Sequence, residues 1–179
     1  MQAAVATTHG ERTGDDVRAL RDLYAYNAWA NAQVFAACRD LDEARLQVPA
    51  PGTFDSIAAT LSHLVGVEDA YLYMLRGESP ERMGPRDAYH AHDLPWFAAR
   101  AAQLGGEYDA LLAGADAAFY GLALDVPWFD FSLTRHDGLL QVLSHSAQHR
   151  AQVFSVLGQR GHEVPDLDYV LFVESKTAS

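Results

Sequence analysis

Residues 134–158 read TRHDGLLQVLSHSAQHRAQVFSVLG, and their spacing decides the fold. Leu139, Val142, Leu143, Val153 and Leu157 fall at helical intervals, so one stripe of the segment is apolar and the rest is not. Thr134 and Asp137 match a capping box, the hydroxyl taking an amide of the first turn while the carboxylate reaches back. Gly158 supplies the stop. Within this helix His145 and His149 are four residues apart, and at about 100° per residue their directions differ by only about 40°. One ion can meet both rings. The apolar residues lie about 60° to 160° away from His145, which puts both imidazoles at the edge of the buried stripe, facing inward.

Working outward, Val17, Leu20, Leu23, Tyr24, Ala28, Phe35 and Cys38 repeat the helical pattern with no Gly or Pro before Pro49. They predict one long helix beginning near the acidic Asp15 and Asp16, which suit its dipole. Val48-Pro-Ala-Pro-Gly52 breaks the chain. Thr53 or Asp55 then caps a second helix over residues 56–76, with Gly77 as its stop. The charged stretch 78–93, with two prolines and a glycine, reads as a connector. Pro95 opens a third helix whose seam is Phe97, Ala101, Leu104, Tyr108 and Leu111, and Gly105-Gly106 within it points to a close helix contact. Residues 115–133 are aromatic and irregular and read as a loop with room for a short hairpin, and 165–173 add a short final helix. The expectation is an all-α, up-and-down four-helix bundle with short extra segments. A flexible tail takes residues 1–14, and a single domain takes 15–179.

The 179 residues carry 13 Lys and Arg against 24 Asp and Glu, a net charge of −11 with no basic block. Such a chain lacks the positive field through which proteins hold nucleic acid or anionic lipid, so neither partner is expected. No apolar run approaches the roughly 18 residues of a membrane span. The opening residues have no signal-peptide core, and the lone Cys38 cannot close an intramolecular disulfide. A cytoplasmic location is the expectation.

His63 adds a third imidazole. It shares the inner arc of the second helix with Thr60, Val67 and Met74, so it can meet His145 and His149 across a bundle. Three neutral nitrogens with open positions suit Zn, Ni or Fe(II). The alternative is a buried histidine satisfied by a backbone carbonyl. Ser146 follows His145 where an HExxH protease carries its general-base Glu, so that activity is excluded.

Leu61-Ser-His-Leu64 with Glu68 five residues beyond His63, and His145-Ser-Ala-Gln-His149-Arg150-Ala-Gln-Val153, resemble the DinB family of bacterial four-helix proteins. Tyr26-Asn-Ala-Trp29-Ala-Asn31 in the first helix, and Gly161, Pro165, Asp168 and Tyr169 near the end, resemble it too. The resemblance covers about Asp15 to Phe172. It implies that His63, His145 and His149 are ligands of a divalent ion such as Ni or Zn, and that the chain forms a homodimer. It also implies transfer of a low-molecular-weight thiol, such as bacillithiol or mycothiol, to a small-molecule substrate. A metal-dependent hydrolase and a non-catalytic metal-binding stress-response protein are the alternative functions.

Other polar residues have plainer readings. Glu68 falls within the apolar arc of its helix and needs a partner, for which Arg150 is the candidate; a general-base role is the alternative. Asn27 and Asn31 share one stripe of the first helix and hydrogen-bond across the core or line the pocket. Trp29 packs at a surface or dimer contact. Gln152, beside His145, is a candidate to hold a metal-bound water. His9, His90, His92, His136 and His162 are expected in solvent, and Cys38 in the core.

Overall fold

The computed structural model describes residues 14–177. Apart from Gly14, the tail expected over residues 1–14 lies outside the described residues. Four long helices form the bundle: α1 (Gly14–Cys38), α3 (Ile57–Leu75), α5 (Leu94–Ala113) and α7 (Arg135–Gln159). Short pieces join them. These are α2 (Glu43–Leu46), a 3-10 turn at Pro80–Met83, α4 (Arg86–His90), α6 (Ala117–Gly121), and a hairpin of β1 (Ala123–Leu124) against β2 (Leu133–Thr134). The hairpin lies in the segment read as loop. α8 (Tyr169–Thr177) closes the described chain.

The starts follow local chemistry. The Thr134–Asp137 capping box forms as expected, and Asp93 caps α5 by accepting the Trp96 amide at 2.9 Å. At α3 the cap is Ser56 rather than Thr53 or Asp55, its hydroxyl accepting from the Ala59 amide at 3.1 Å. Asp55 instead adopts φ 78°, a conformation that Asp tolerates better than most residues, and turns the chain into the helix. Gly77, at φ 77°, follows the end of α3.

The expected four-helix bundle forms, but its helices do not simply alternate. α1 runs antiparallel to α5, with Arg21 against Asp109, Tyr24 against Tyr108 and Ala28 against Gly105. α3 runs antiparallel to α7, with His63 against His145 and Tyr71 against Gly138. α3 and α5, however, are parallel, since Asp69 pairs with Arg100 and Arg76 with Glu107. α1 and α7 are parallel as well, with Tyr24 bonded to the Leu139 carbonyl and Asn31 to Arg150. The sense is up, down, down, up. The connector between α3 and α5 must therefore travel back along a helix of about 28 Å. The long stretch holding the 3-10 turn and α4 does this, and it places α4 against the flank of α3.

Leu20, Tyr24 and Val34 of α1, Leu61, Leu64 and Leu75 of α3, Phe97, Leu104 and Tyr108 of α5, and Leu139, Val142, Val153 and Leu157 of α7 fill one core. α1 and α5 approach closely at Gly105, where a Cβ would stand 2.8 Å from that of Ala28, whereas Gly106 faces open space. No helix of the described residues is long and apolar enough to cross a membrane.

Candidate metal centre

The antiparallel packing of α3 on α7 brings His63 opposite the His145–His149 pair. His145 Nε2 lies 3.2 Å from His63 Nε2 and 3.0 Å from His149 Nε2. Nitrogens sharing a tetrahedral ion at bonds of about 2.0–2.1 Å are about 3.3 Å apart, so both separations are close to those of two ligands on one ion, and the three ligand atoms all lie within 4.8 Å of one another. Among the described residues this is the one group of three His, Cys, Asp or Glu side chains that could hold an ion.

The donor chemistry agrees. Gln152 Oε1 lies 2.7 Å from His149 Nδ1, and an amide oxygen only accepts, so the proton is on Nδ1 and the Nε2 lone pair faces the centre. His145 Nδ1 is buried without a hydrogen-bond partner. In a metal-free triangle one proton on His145 Nε2 would have to serve both neighbours, whereas one cation satisfies all three rings. Burial, followed by the neighbouring imidazoles, lowers His63 to about 4 and His145 to about 3. Burial also lowers His149, against the opposing effect of its bond to Gln152. All three rings are therefore neutral near pH 7, as metal ligation requires.

Phe54, which the sequence reading did not single out, flanks the centre. Its ring stacks on His63 at 4.0 Å and 3° and stands edge-on to His149 at 6.5 Å. Its amide donates to Thr60 Oγ1 at 3.0 Å, so the first turn of α3 fixes its position. Past His63 and His145 opens a cleft of about 630 Å³, walled by Val67, Tyr71, Met83, Trp128 and Phe129. The last two belong to the loop between β1 and β2, so the aromatic segment has a place at the mouth of the site.

The remaining candidates separate from the centre. Glu68 is buried and does not line the cleft. It accepts from Asn27 Nδ2 at 2.8 Å, Asn31 Nδ2 at 3.0 Å and Ser146 Oγ at 2.6 Å. Arg150 does not pair with Glu68 directly; it donates to the Oδ1 atoms of Asn27 and Asn31 at 2.5 and 2.7 Å. The expected pair is thus bridged by the two asparagines of α1, each turning its oxygen to the cation and its NH2 to the anion. Trp29 is half-buried, its ring against Tyr26 and Phe172. Cys38 is fully buried, which pushes its thiol up to about 12. His92 is exposed and stacks on Trp96, and His136 and His162 are half-buried. His90 is also half-buried, bonded to Ser62 and lining the cleft, against the expectation of a solvated ring. His9 lies outside the described residues.

Gln152 touches His149 and acts through it. Gln152→Leu is expected to lower metal affinity by about 10–100-fold, as losses of such orienting contacts do, while Gln152→Glu, which keeps the acceptor, retains it. Competition against a metallochromic chelator measures this, and equal affinity in Gln152→Leu and wild type would count against the orienting role.

The family model for the DinB family matches residues 12–178. The chain is 23% identical over 159 residues to Protein DinB of Bacillus subtilis (strain 168), an alignment that covers 84% of this chain and 91% of that protein. Among solved structures it is similar to YfiT from Bacillus subtilis, described as a probable metal-dependent hydrolase with an unusual four-helix bundle topology. That similarity has a TM-score of 0.64 at 15% identity and covers 88% of this chain and 94% of YfiT.

Proposed function

The chain belongs to the DinB family, and from that membership and the three-imidazole centre we propose a divalent-metal-dependent enzyme that joins a low-molecular-weight thiol to an electrophilic small molecule. The observation that carries this reading is the convergence of three neutral Nε2 atoms beside a cleft of about 630 Å³. A cleft of that size takes a drug-sized ligand.

His63, His145 and His149 would hold the ion, and imidazole ligands suit Zn or Ni, with Fe(II) a further fit. Such an ion lowers the pKa of a bound thiol or water and so supplies a nucleophile at neutral pH. The protein's contribution is positional. Gln152 fixes the His149 tautomer, Phe54 holds the His63 ring from behind, and the wall of Val67, Tyr71, Met83 and Trp128 offers an apolar surface to an electrophile. Because Cys38 is fully buried, the reacting sulfur would come from a cosubstrate. Hydrolysis is the second reading, favoured by the description of YfiT.

Protein purified without a histidine tag tests both. About one divalent ion per chain is expected. The loaded protein should consume a small thiol in the presence of a fluorogenic alkylating agent faster than the same protein after chelation. Thiol transfer that survives complete metal removal would sink the proposal. Metal-dependent cleavage of an activated ester without thiol consumption would move the assignment to hydrolase, and metal without turnover of either kind to a binding protein.

A further inference from the structure

His90 closes α4, in the connector that the parallel packing of α3 and α5 makes long. Its Nδ1 lies 3.0 Å from Ser62 Oγ. The Ser62 hydroxyl itself donates to the Ala59 carbonyl at 3.1 Å. When that proton serves the carbonyl, Ser62 accepts from His90, whose ring then carries its proton on Nδ1 and a bare lone pair at Nε2. That Nε2 has no hydrogen-bond partner among the described residues, and the ring lines the same cleft as His63 and His145. Ser62 immediately precedes His63, and the ring also lies over Gly66, one turn further along α3, where an added Cβ would stand 3.5 Å from His90 Cε1. The ring is therefore anchored through Nδ1 and Gly66 and lines the cleft that His63 and His145 also line.

We propose that His90 is the proton acceptor of this cleft, its Nε2 taking the proton of the attacking thiol or water. The proposal rests on the reading of the centre as one that activates such a nucleophile. In the step the S–H or O–H bond breaks and its electron pair stays on sulfur or oxygen, while the proton forms a new bond to Nε2. A pair on that sulfur or oxygen forms the bond to the electrophilic carbon. The leaving group departs with its own pair and takes the proton from the imidazolium. The groups around the ring favour the neutral base: burial and Arg86 lower its proton affinity, and Asp87 partly opposes them. His63 faces it from α3, and Glu43 and His92 share the adjoining pocket.

Two measurements on the zinc-loaded full chain test the assignment. Long-range nitrogen–proton correlation NMR should show His90 protonated on Nδ1 and bare on Nε2, and Ser62→Ala should move protons toward Nε2. In His90→Gln, metal content stays at the wild-type level while turnover falls by about 10²–10⁴-fold and the acid limb of the pH–rate profile disappears. Ser62→Ala should lose less and keep that limb. A wild-type His90 protonated on Nε2, or a His90→Gln turnover within about threefold of wild type, overturns the proposal. A wild type that binds no metal overturns the centre instead, and the tautomer then decides the case for His90.

Discussion

His63→Ala and His149→Ala should each reduce bound metal from about one ion per chain to trace level. They should also abolish the metal-dependent rise in melting temperature. At free metal about 100 times the Kd, an ion that binds only the folded chain adds about 2.7 kcal/mol. In a chain of this size that corresponds to a rise of roughly 5–11 °C. Without metal the order reverses. Imidazole nitrogens held 3.0–3.2 Å apart, one ring with a buried unpartnered Nδ1, are a cost to the metal-free fold. Chelated His63→Ala is therefore expected to melt at or above chelated wild type. pH provides a second check on the chelated protein. The folded-state values of His63 and His145 lie below the ordinary 6.5, so under pH 6.5 the unfolded chain binds more protons than the folded one. Stability then falls as the pH drops from 6.5 toward about 4 for His63 and about 3 for His145. Calorimetry with and without chelator reads all of this, and equal metal-dependent shifts in wild type and both variants would rule out the triad.

Much of this centre was legible in the sequence because helical periodicity is local. The four-residue spacing of His145 and His149 fixes their common face whatever surrounds them, and the Thr134 capping box fixes where that helix starts. What could not be read is what depends on neighbours. The parallel packing of α3 and α5 follows from the path of the connector, whose length was visible but whose direction was not. His90 looked solvated because its polar surroundings in sequence are not its surroundings in space; the returning connector lays it against Ser62. Phe54 was hidden for a similar reason, since only the turn through Asp55, at φ 78°, presents it to His63. The bridge between Glu68 and Arg150 was half visible. Two charges on apolar faces demanded partners, but the asparagines that join them come from a different helix, 37 or more residues away in sequence.

That bridge carries the other large effect. Arg150→Met is expected to destabilise the protein by about 3–5 kcal/mol, because it takes the cation out of the network around the buried Glu68 carboxylate and leaves the Asn27 and Asn31 oxygens without their donor. The corresponding fall in melting temperature is roughly 6–20 °C. Glu68→Gln should also destabilise, since its NH2 would meet the Asn27 and Asn31 NH2 groups or the Ser146 hydroxyl, all of which donate to the carboxylate now. The informative quantity is the coupling in the Glu68→Gln, Arg150→Met cycle. The two side chains make no direct ion pair, yet each asparagine is oriented by both, its oxygen on Arg150 and its NH2 on Glu68. Removing either charge removes part of the reason for that orientation, so the double variant should lose less than the sum of the singles, by about 1–3 kcal/mol. Urea unfolding measures the cycle, and a coupling near zero would mean the asparagines insulate the charges instead of linking them. The network also bears on the metal. Ser146 sits between His145 and His149 on α7, and its hydroxyl donates to Glu68, five residues beyond His63 on α3. One buried carboxylate thus holds the two helices that carry the three imidazoles in register against α1. Glu68→Gln should therefore weaken metal binding as well as the fold, although Glu68 touches no ligand, whereas a surface variant of equal destabilisation should leave metal affinity unchanged.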